Sequence, residues 1–196
     1  FSDECYEQLV YDVPFKSIEY LNEVGADVIT FMTLSKSYAM TGWRVGYAFG
    51  NRDLINVMGR LQGQETSCAN SIAQKAAIEA LIGDQSSMIA MKGTFRKRRD
   101  LMIGLLNEIP KISCEKPKGA FYAFPDCSKY FGGQGNGKII NTSTELSEYI
   151  LGESKVVTVP GDGFGAPGHI RFSYAVSSEI IIKGMDRLRQ ALHQLN

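Results

Sequence analysis

The sequence lacks an excess of charge of either sign, because 21 lysines and arginines balance 21 aspartates and glutamates. A nucleic-acid backbone or an anionic membrane surface attracts proteins with a strong basic field, and this chain has none. The sequence also lacks any apolar run that approaches the ~20 residues of a membrane-spanning helix. These absences predict neither a nucleic-acid partner nor a membrane partner.

Cysteine and histidine are scarce, with four cysteines and two histidines in the sequence. The cysteines form no CxxC pair, none lies beside a histidine cluster, and no stretch has the pattern of a secretory signal. We therefore predict a reduced, cytoplasmic protein without a metal site. Each cysteine is expected to be a small buried apolar residue, and the four are Cys5, Cys68, Cys114 and Cys127.

Hydrophobic residues make up 44% of the 196 residues and charged residues 21%, which is typical of a globular chain that buries a core. The chain starts at Phe1 without an initiator methionine, a polar tail or a helix cap. This start is typical of the end of a buried strand. We therefore expect a fragment whose partner strands lie upstream.

The first half of the sequence has the pattern of an α/β unit. Short apolar, β-branched runs at residues 28–34 and 45–49 predict two strands, separated by a polar loop that contains Lys36. Apolar residues at helical spacing predict helices over residues 53–65 and 71–82. The lysine is thus expected in a loop directly after a strand.

A longer helix is predicted from a cap at Asp84 to about residue 108, with the basic residues 96–99 on a solvated face. After it, the pattern predicts strands at residues 120–124, 155–159 and 169–174 and helices at residues 143–151 and 178–194. The glycine-rich residues 132–137 are expected to form a flexible surface loop. We place the boundary between the α/β unit and an α+β unit near residue 90.

The segment with the clearest chemistry is residues 33–47, TLSKSYAMTGWRVGY. It places Lys36 directly after a predicted buried strand, in a loop rich in hydroxyl groups, and Arg44 eight residues further on. Burying a lysine is costly unless its charge is removed or used. An imine formed between the lysine and an aldehyde would both remove the charge and use the amine. The alternative interpretation of the segment is a solvated loop lysine and an arginine in a surface ion pair.

This segment closely resembles the cofactor-lysine signature of class I aminotransferases, in which a serine or threonine, then x-S-K, then a TGWRxGY-like run follow one another. The resemblance implies that Lys36 forms a Schiff base with pyridoxal 5'-phosphate (PLP). It makes Lys36 the catalytic residue that carries a proton between the substrate α-carbon and the cofactor. It also implies that Thr33 and Arg44 bind the phosphate, a role that suits the arginine fork.

Residues 3–7, DECYE, resemble the family's DExYE segment at the end of the preceding strand. The resemblance implies that Asp3 pairs with the protonated pyridine nitrogen of the cofactor and that Tyr6 donates a hydrogen bond to its phenolic oxygen. A carboxylate ~4 Å from a pyridinium gains about 4 kcal/mol at an effective dielectric constant of ~20. This attraction keeps the ring protonated and able to accept electrons.

Residues 168–175, GHIRFSYA, resemble the family's xIRxSxA strand and follow a PGxxFG-like turn. Alternation along a strand puts Arg171 on one face with Ser173 and the apolar Ile170 and Phe172 on the other. The resemblance implies that Arg171 binds the substrate α-carboxylate through two parallel hydrogen bonds. The alternative is a surface arginine on an edge strand.

The resemblance extends over most of the chain and implies an α/β fold class, fold type I of the PLP-dependent transferases. Residues 1–90 would be the C-terminal part of the large PLP-binding domain, with a mixed, mostly parallel sheet, and residues 91–196 a smaller α+β C-terminal domain. The implied activity is transfer of an amino group between an L-amino acid and a 2-oxo acid, in a homodimer. Because the family's Gly-rich phosphate turn and ring-stacking aromatic are absent, we expect the fragment itself to be inactive.

Two other functions are compatible with these motifs. A PLP-dependent lyase or synthase of the same fold, such as an aminocyclopropane-carboxylate synthase or a carbon-sulfur lyase, shares the lysine, aspartate, tyrosine and arginine. An aminotransferase-like regulatory domain binds the cofactor without turnover. The preference for a particular substrate side chain also stays open, because Cys68-Ala69 stands where many relatives have an asparagine-proline step.

Overall fold

The structure of the chain is a computed structural model, which describes residues 1–24 and 27–195. The chain divides into two compact units, Phe1–Lys92 and Gly93–Asn196. The boundary predicted near residue 90 lies close to this division, and the identity of the units as a PLP-binding domain and a small domain stays a prediction. Within the described residues, no helix combines the length and the apolar character that a membrane span requires.

The first unit contains a three-stranded mixed sheet. Its strands, in sheet order, are β1 (Ser2–Asp3), β2 (Ile29–Thr33) and β3 (Gly46–Gly50). β1 pairs with β2 in parallel, and β2 pairs with β3 in antiparallel orientation. The sheet is therefore mixed, and both strands predicted around the lysine loop are confirmed.

Helices accompany this sheet, and side-chain caps fix where two of them begin. They are α1 (Leu34–Ser37), α2 (Arg52–Glu65), α3 (Ser71–Ile82) and α4 (Ser86–Asn107), with 3₁₀ helices at Ile18–Val24 and Thr41–Trp43. Asn51 Oδ1 accepts a hydrogen bond from the Asp53 amide at 2.9 Å. Asn70 Oδ1 accepts one from the Ile72 amide, also at 2.9 Å. Both asparagines satisfy amides that lack a partner inside their helix. As a result α3 begins at the predicted residue, and α2 begins one residue before the predicted start.

Within its described residues, the second unit combines two small sheets with the part of α4 from Gly93 onward and two further α-helices. Its further elements are β4 (Tyr122–Ala123), β5 (Gln134–Gly135), β6 (Lys138–Ile139), α5 (Ser143–Ser154), β7 (Val159–Pro160), β8 (Ile170–Ser173) and α6 (Ser178–His193). β8 lies between β4 and β7 and is antiparallel to both. Leu106, Leu146, Ile170 and Leu188 are fully buried in one core that joins the helices to β8.

The basic run at residues 96–99 is not wholly solvated, because Arg99 is only 1% exposed. Its Nε donates to Asp100 Oδ1 at 2.9 Å and its Nη1 donates to the Pro117 carbonyl at 3.1 Å. The buried residues of α4 after it, Met102, Ile103 and Leu106, follow at helical spacing. Arg99 therefore continues the buried stripe of the helix by one turn, and the prediction of a solvated face is wrong at this position.

The glycine-rich residues 132–137 contribute to a β-hairpin, so the prediction of a flexible loop is wrong. β5 pairs with β6 across Asn136 and Gly137, which have φ angles of 51° and 75°. An Asn-Gly pair with both φ angles positive is the preferred two-residue hairpin turn. Gly135 is buried, and a Cβ atom there would lie 2.6 Å from Tyr149 Cε2.

Two smaller predictions also need correction. Residues 155–158 are outside any strand, because α5 continues to Ser154 and Lys155 ends it in the left-handed region with φ 57°. Cys127 and Cys114 are buried as predicted, but Cys5 is only half-buried and Cys68 is exposed in the segment between α2 and α3. The prediction that every cysteine is buried is therefore wrong for these two.

Candidate active site

Lys36 lies in a single helical turn that starts where β2 ends. Thr33, the last residue of β2, caps α1, since its Oγ1 accepts a hydrogen bond from the Ser35 amide at 3.2 Å. The Tyr38 amide closes the turn by donating to the Leu34 carbonyl at 3.2 Å. The sequence therefore passes from strand to lysine within three residues.

Apolar packing supports this segment from one side. Leu34, Met40 and Val45 are buried with Ala73 and Ala77 of α3 in one cluster. Small alanine side chains allow the helix to approach the backbone of the segment closely. The lysine turn is thus fixed by α3 as well as by the sheet.

A cavity of about 550 Å³ borders the Lys36 turn. It is lined by Asp3, Cys5, Phe31, Met32, Thr33, Ser35, Lys36, Thr41 and Arg44. Four of the five residues predicted to bind a cofactor therefore line one cavity. The fifth, Tyr6, is half-buried in the turn after β1 and is not among the described residues that line it.

Asp3 reaches the cavity because β1 is in parallel register with β2. Asp3 is the register partner of Phe31, and its Oδ1 accepts a hydrogen bond from the Cys5 amide at 3.2 Å. Burial, followed by the nearby carboxylate of Asp3, raises the pKa of the Cys5 thiol to about 11, while the charge of Lys36 lowers it. The thiol of Cys5 is therefore close enough to both Asp3 and Lys36 for their charges to shift its pKa.

Arg44 lines the same cavity and has an unusual backbone conformation. It follows the 3₁₀ turn Thr41–Trp43 with φ 52° and ψ 47°, and its Nη1 donates to the Thr41 carbonyl at 3.1 Å. β3 then returns alongside β2, where a Cβ at Gly46 would lie 2.5 Å from the Met32 carbonyl oxygen. Glycine at this position permits the close approach of the two strands that brings Arg44 back to the lysine.

The groups around this cavity suit the chemical groups of PLP. The amine of Lys36 suits an aldehyde, the carboxylate of Asp3 suits a protonated ring nitrogen, and Arg44 supplies a guanidinium for a phosphate. Thr33 and Ser35 add hydroxyl groups, and Thr33 Oγ1 donates to Ser35 Oγ at 2.9 Å. One set of side chains can thus bind the phosphate, the protonated ring nitrogen and the electrophilic aldehyde of PLP.

Arg171 lies in the second unit, on the central strand of its sheet. Its neighbours Ile170 and Phe172 are buried, whereas Arg171 itself is half-buried on the opposite face. Its Cζ lies 4.5 Å from the ring centroid of Tyr122 and 4.7 Å from that of Phe164. The alternative of an edge-strand arginine is wrong, because β8 has a partner strand on each side.

Several residues beside the predicted site were not foreseen from the sequence. Cys5, Ser35 and Thr41 line the cavity, and Tyr122 and Phe164 contact Arg171. Ser35 and Thr41 could have been found as hydroxyl residues close to the lysine in the chain. Tyr122 could not, because its place beside Arg171 depends on the register that pairs it with Ser173.

Comparison with known proteins gives consistent matches over nearly the whole chain. Residues 1–188 match the family model for aminotransferase class I and II. The chain is 42% identical to a probable aspartate/prephenate aminotransferase of Rickettsia bellii, covering 99% of this chain and 49% of that protein. It is 39% identical to an aspartate aminotransferase of Streptomyces avermitilis, covering 98% of this chain and 48% of that protein.

A solved structure is also similar to the chain. The crystal structure of the aspartate aminotransferase from Rhizobium meliloti superposes with a TM-score of 0.94 at 39% identity, covering 98% of this chain and 49% of that one. This likeness confirms the predicted fold class, an α/β fold of the PLP-dependent transferase type. The chain spans about half the length of the relatives it matches.

Proposed function

The chain belongs to the class I and II aminotransferase family, and we propose that the protein carrying it transfers an amino group between an L-amino acid and a 2-oxo acid. PLP bound to Lys36 is the proposed cofactor. The observation that supports this most strongly is the cavity shared by Asp3, Thr33, Lys36 and Arg44. The amine of Lys36 matches the aldehyde of that cofactor, the carboxylate of Asp3 matches its ring nitrogen, and the hydroxyl of Thr33 and the guanidinium of Arg44 match its phosphate.

Each residue has a distinct proposed role. Lys36 Nζ would hold the cofactor covalently and, once released by the incoming amino group, would take the proton from the substrate α-carbon. Asp3 would keep the ring nitrogen protonated, and the Tyr6 hydroxyl would donate to the phenolic oxygen. Thr33 and Arg44 would bind the phosphate. When bound, PLP supplies the electron sink that makes the α-proton acidic.

Arg171 is the proposed binding residue for the carboxylate that every amino acid and 2-oxo acid carries. The rings of Tyr122 and Phe164 lie against its guanidinium and limit its orientation. Because the similar proteins are named for aspartate, with or without prephenate, we propose aspartate as the amino donor. A cytoplasmic homodimer is the proposed setting, and the four free thiols fit a reducing compartment.

The test uses the complete polypeptide that carries this chain. Borohydride reduction of the PLP-loaded protein should fix the mass of the cofactor on the peptide that contains Lys36. Lys36→Ala should abolish both this modification and the formation of oxaloacetate from aspartate and 2-oxoglutarate. Lys75→Ala is the matched control, because Lys75 lies exposed on α3.

The same assays separate the rival functions. An amino-acid-dependent elimination or ring closure without glutamate formation would favour a lyase or synthase and contradict amino transfer. Cofactor fixed on Lys36 without any turnover would favour a regulatory domain. A cofactor adduct on another lysine would end the assignment of Lys36.

A further inference from the structure

The helix that carries Lys36 is too short to hold its own orientation. α1 contains four residues, Leu34–Ser37. A single turn fixes several backbone angles for very few hydrogen bonds and is unstable in isolation. Besides the packing of Leu34 against α3, the direction of Lys36 therefore depends on the residues that flank α1, which are Thr33 at its start and Tyr38 at its end.

Tyr38 connects this turn to the loop that joins α3 and α4. Its hydroxyl donates a hydrogen bond to Gln85 Oε1 at 3.2 Å. Gln85 Nε2 in turn donates to the Ala80 and Gly83 carbonyls, both at 2.9 Å. Both ends of the Gln85 amide are thus engaged, and the acceptor oxygen is held in place for Tyr38.

The Tyr38 ring packs partly against the buried apolar cluster that contains Leu34. It also borders a cavity of about 480 Å³. Burial raises the pKa of the Tyr38 hydroxyl, with smaller contributions from Glu7 and Tyr47, so the group stays a proton donor at neutral pH. The hydrogen bond from this hydroxyl to Gln85 adds a directional contact to the apolar packing of the ring.

We propose that Tyr38 and Gln85 are positioning residues that orient Lys36 toward the cofactor. The pair braces the end of α1 against the loop after α3, and neither residue lines the cavity that contains Lys36. This inference rests on the proposed function, since it takes Lys36 as the residue that binds PLP. The inference assigns a role to Gln85, which lies 49 positions after Lys36 in the chain.

The test compares Tyr38→Phe, Gln85→Leu and the double variant in the complete polypeptide. One hydrogen bond of ordinary strength corresponds to roughly a two- to ten-fold change in affinity. Each single variant should weaken PLP binding by that factor. The double variant should bind PLP as tightly as the single variant that binds it less tightly. In the cofactor-free protein, amide exchange should accelerate at Tyr38, Ala39 and Met40, whose amides close the turn onto Leu34 and Lys36.

Tyr20→Phe is the matched control, because it removes a hydroxyl from an exposed tyrosine of the 3₁₀ helix Ile18–Val24. It should leave both the affinity and the exchange rates unchanged. Equal losses in Tyr38→Phe and Tyr20→Phe, unchanged exchange in Tyr38→Phe, or additive losses in the double variant would each overturn the proposal. Lys36→Ala separates the two hypotheses: if it does not alter PLP binding, the proposed function fails, whatever Tyr38→Phe does.

Discussion

Asp3 and Phe31 are register partners in the parallel pairing of β1 with β2. Because parallel strands end at the same edge of a sheet, the carboxylate at the end of β1 and the lysine after β2 border the same cavity. No hydrogen bond between Asp3 and Lys36 is needed for this arrangement. A pair of residues 33 positions apart thus forms one site through strand register alone.

Replacement of Arg171 should weaken the binding of every amino acid substrate. Arg171→Lys keeps a positive charge but loses the paired hydrogen bonds and the flat surface that contacts Tyr122 and Phe164. A hydrogen bond to a charged group contributes about 1.5–3 kcal/mol, so KM should rise roughly 10- to 150-fold. Steady-state kinetics with aspartate and with an aromatic amino acid measure this change.

A surface arginine provides the control for that series. Arg189 ion-pairs with Glu108 at 2.9 Å, and both side chains are exposed. Arg189→Lys should leave KM unchanged for both substrates. If Arg171→Lys raised KM for only one of the two, Arg171 would recognise a side chain and not the shared carboxylate.

Gly135 and Gly104 should respond in opposite ways to replacement by alanine. A Cβ at Gly135 would lie 2.6 Å from Tyr149 Cε2 and 2.7 Å from Leu195 Cδ2, so Gly135→Ala should lower the free energy of unfolding by about 1–3 kcal/mol. Gly104 lies exposed in α4 with no atom within 4 Å of a Cβ, and Gly104→Ala should raise that free energy by up to about 1 kcal/mol. Urea unfolding followed by circular dichroism measures both, and an unchanged or raised free energy of unfolding in Gly135→Ala would contradict the packing of the hairpin.

Local signals allowed much of the site to be predicted from the sequence. The strand before Lys36 and the asparagine caps of α2 and α3 depend on neighbouring residues, so their pattern is visible in the chain itself. The resemblance to a known family then assigned roles to Asp3 and Arg171 that residue patterns alone do not give. The structure brings Asp3 to the lysine cavity, and the roles themselves stay predictions.

Other features depend on contacts between distant residues and could not be predicted. Arg99 is buried because α4 turns that position toward the core, although its neighbours in the basic run differ little from it in the sequence. The contact between Tyr38 and Gln85 joins residues 47 positions apart. The sequence around Gly135 predicts a loop, because nothing local indicates that Tyr149 and Leu195 pack against this glycine.

Alkaline pH should destabilise the second unit through its buried thiols. Burial, with a smaller effect of the neighbouring Asp126, raises the pKa of Cys127 from 9.0 to about 12. Burial also raises the pKa of Cys114 from 9.0 to about 11. Because the folded-state pKa values lie above the unfolded values, the stabilisation is complete below pH 9 and is lost as the pH rises toward 11 and 12.

Each such thiol should lower the free energy of unfolding by about 1.4 kcal/mol per pH unit above the unfolded pKa, until the folded pKa is reached. Cys127→Ala should therefore flatten the pH dependence between pH 9 and 11, even if the loss of packing lowers stability at all pH values. Ile140→Val is the control, because Ile140 is buried in the same core but carries no ionisable group, so its replacement should leave the slope unchanged. Urea unfolding at a series of pH values gives the slopes, and equal slopes for Cys127→Ala and the unmodified protein would show that Cys127 ionises freely in the folded state.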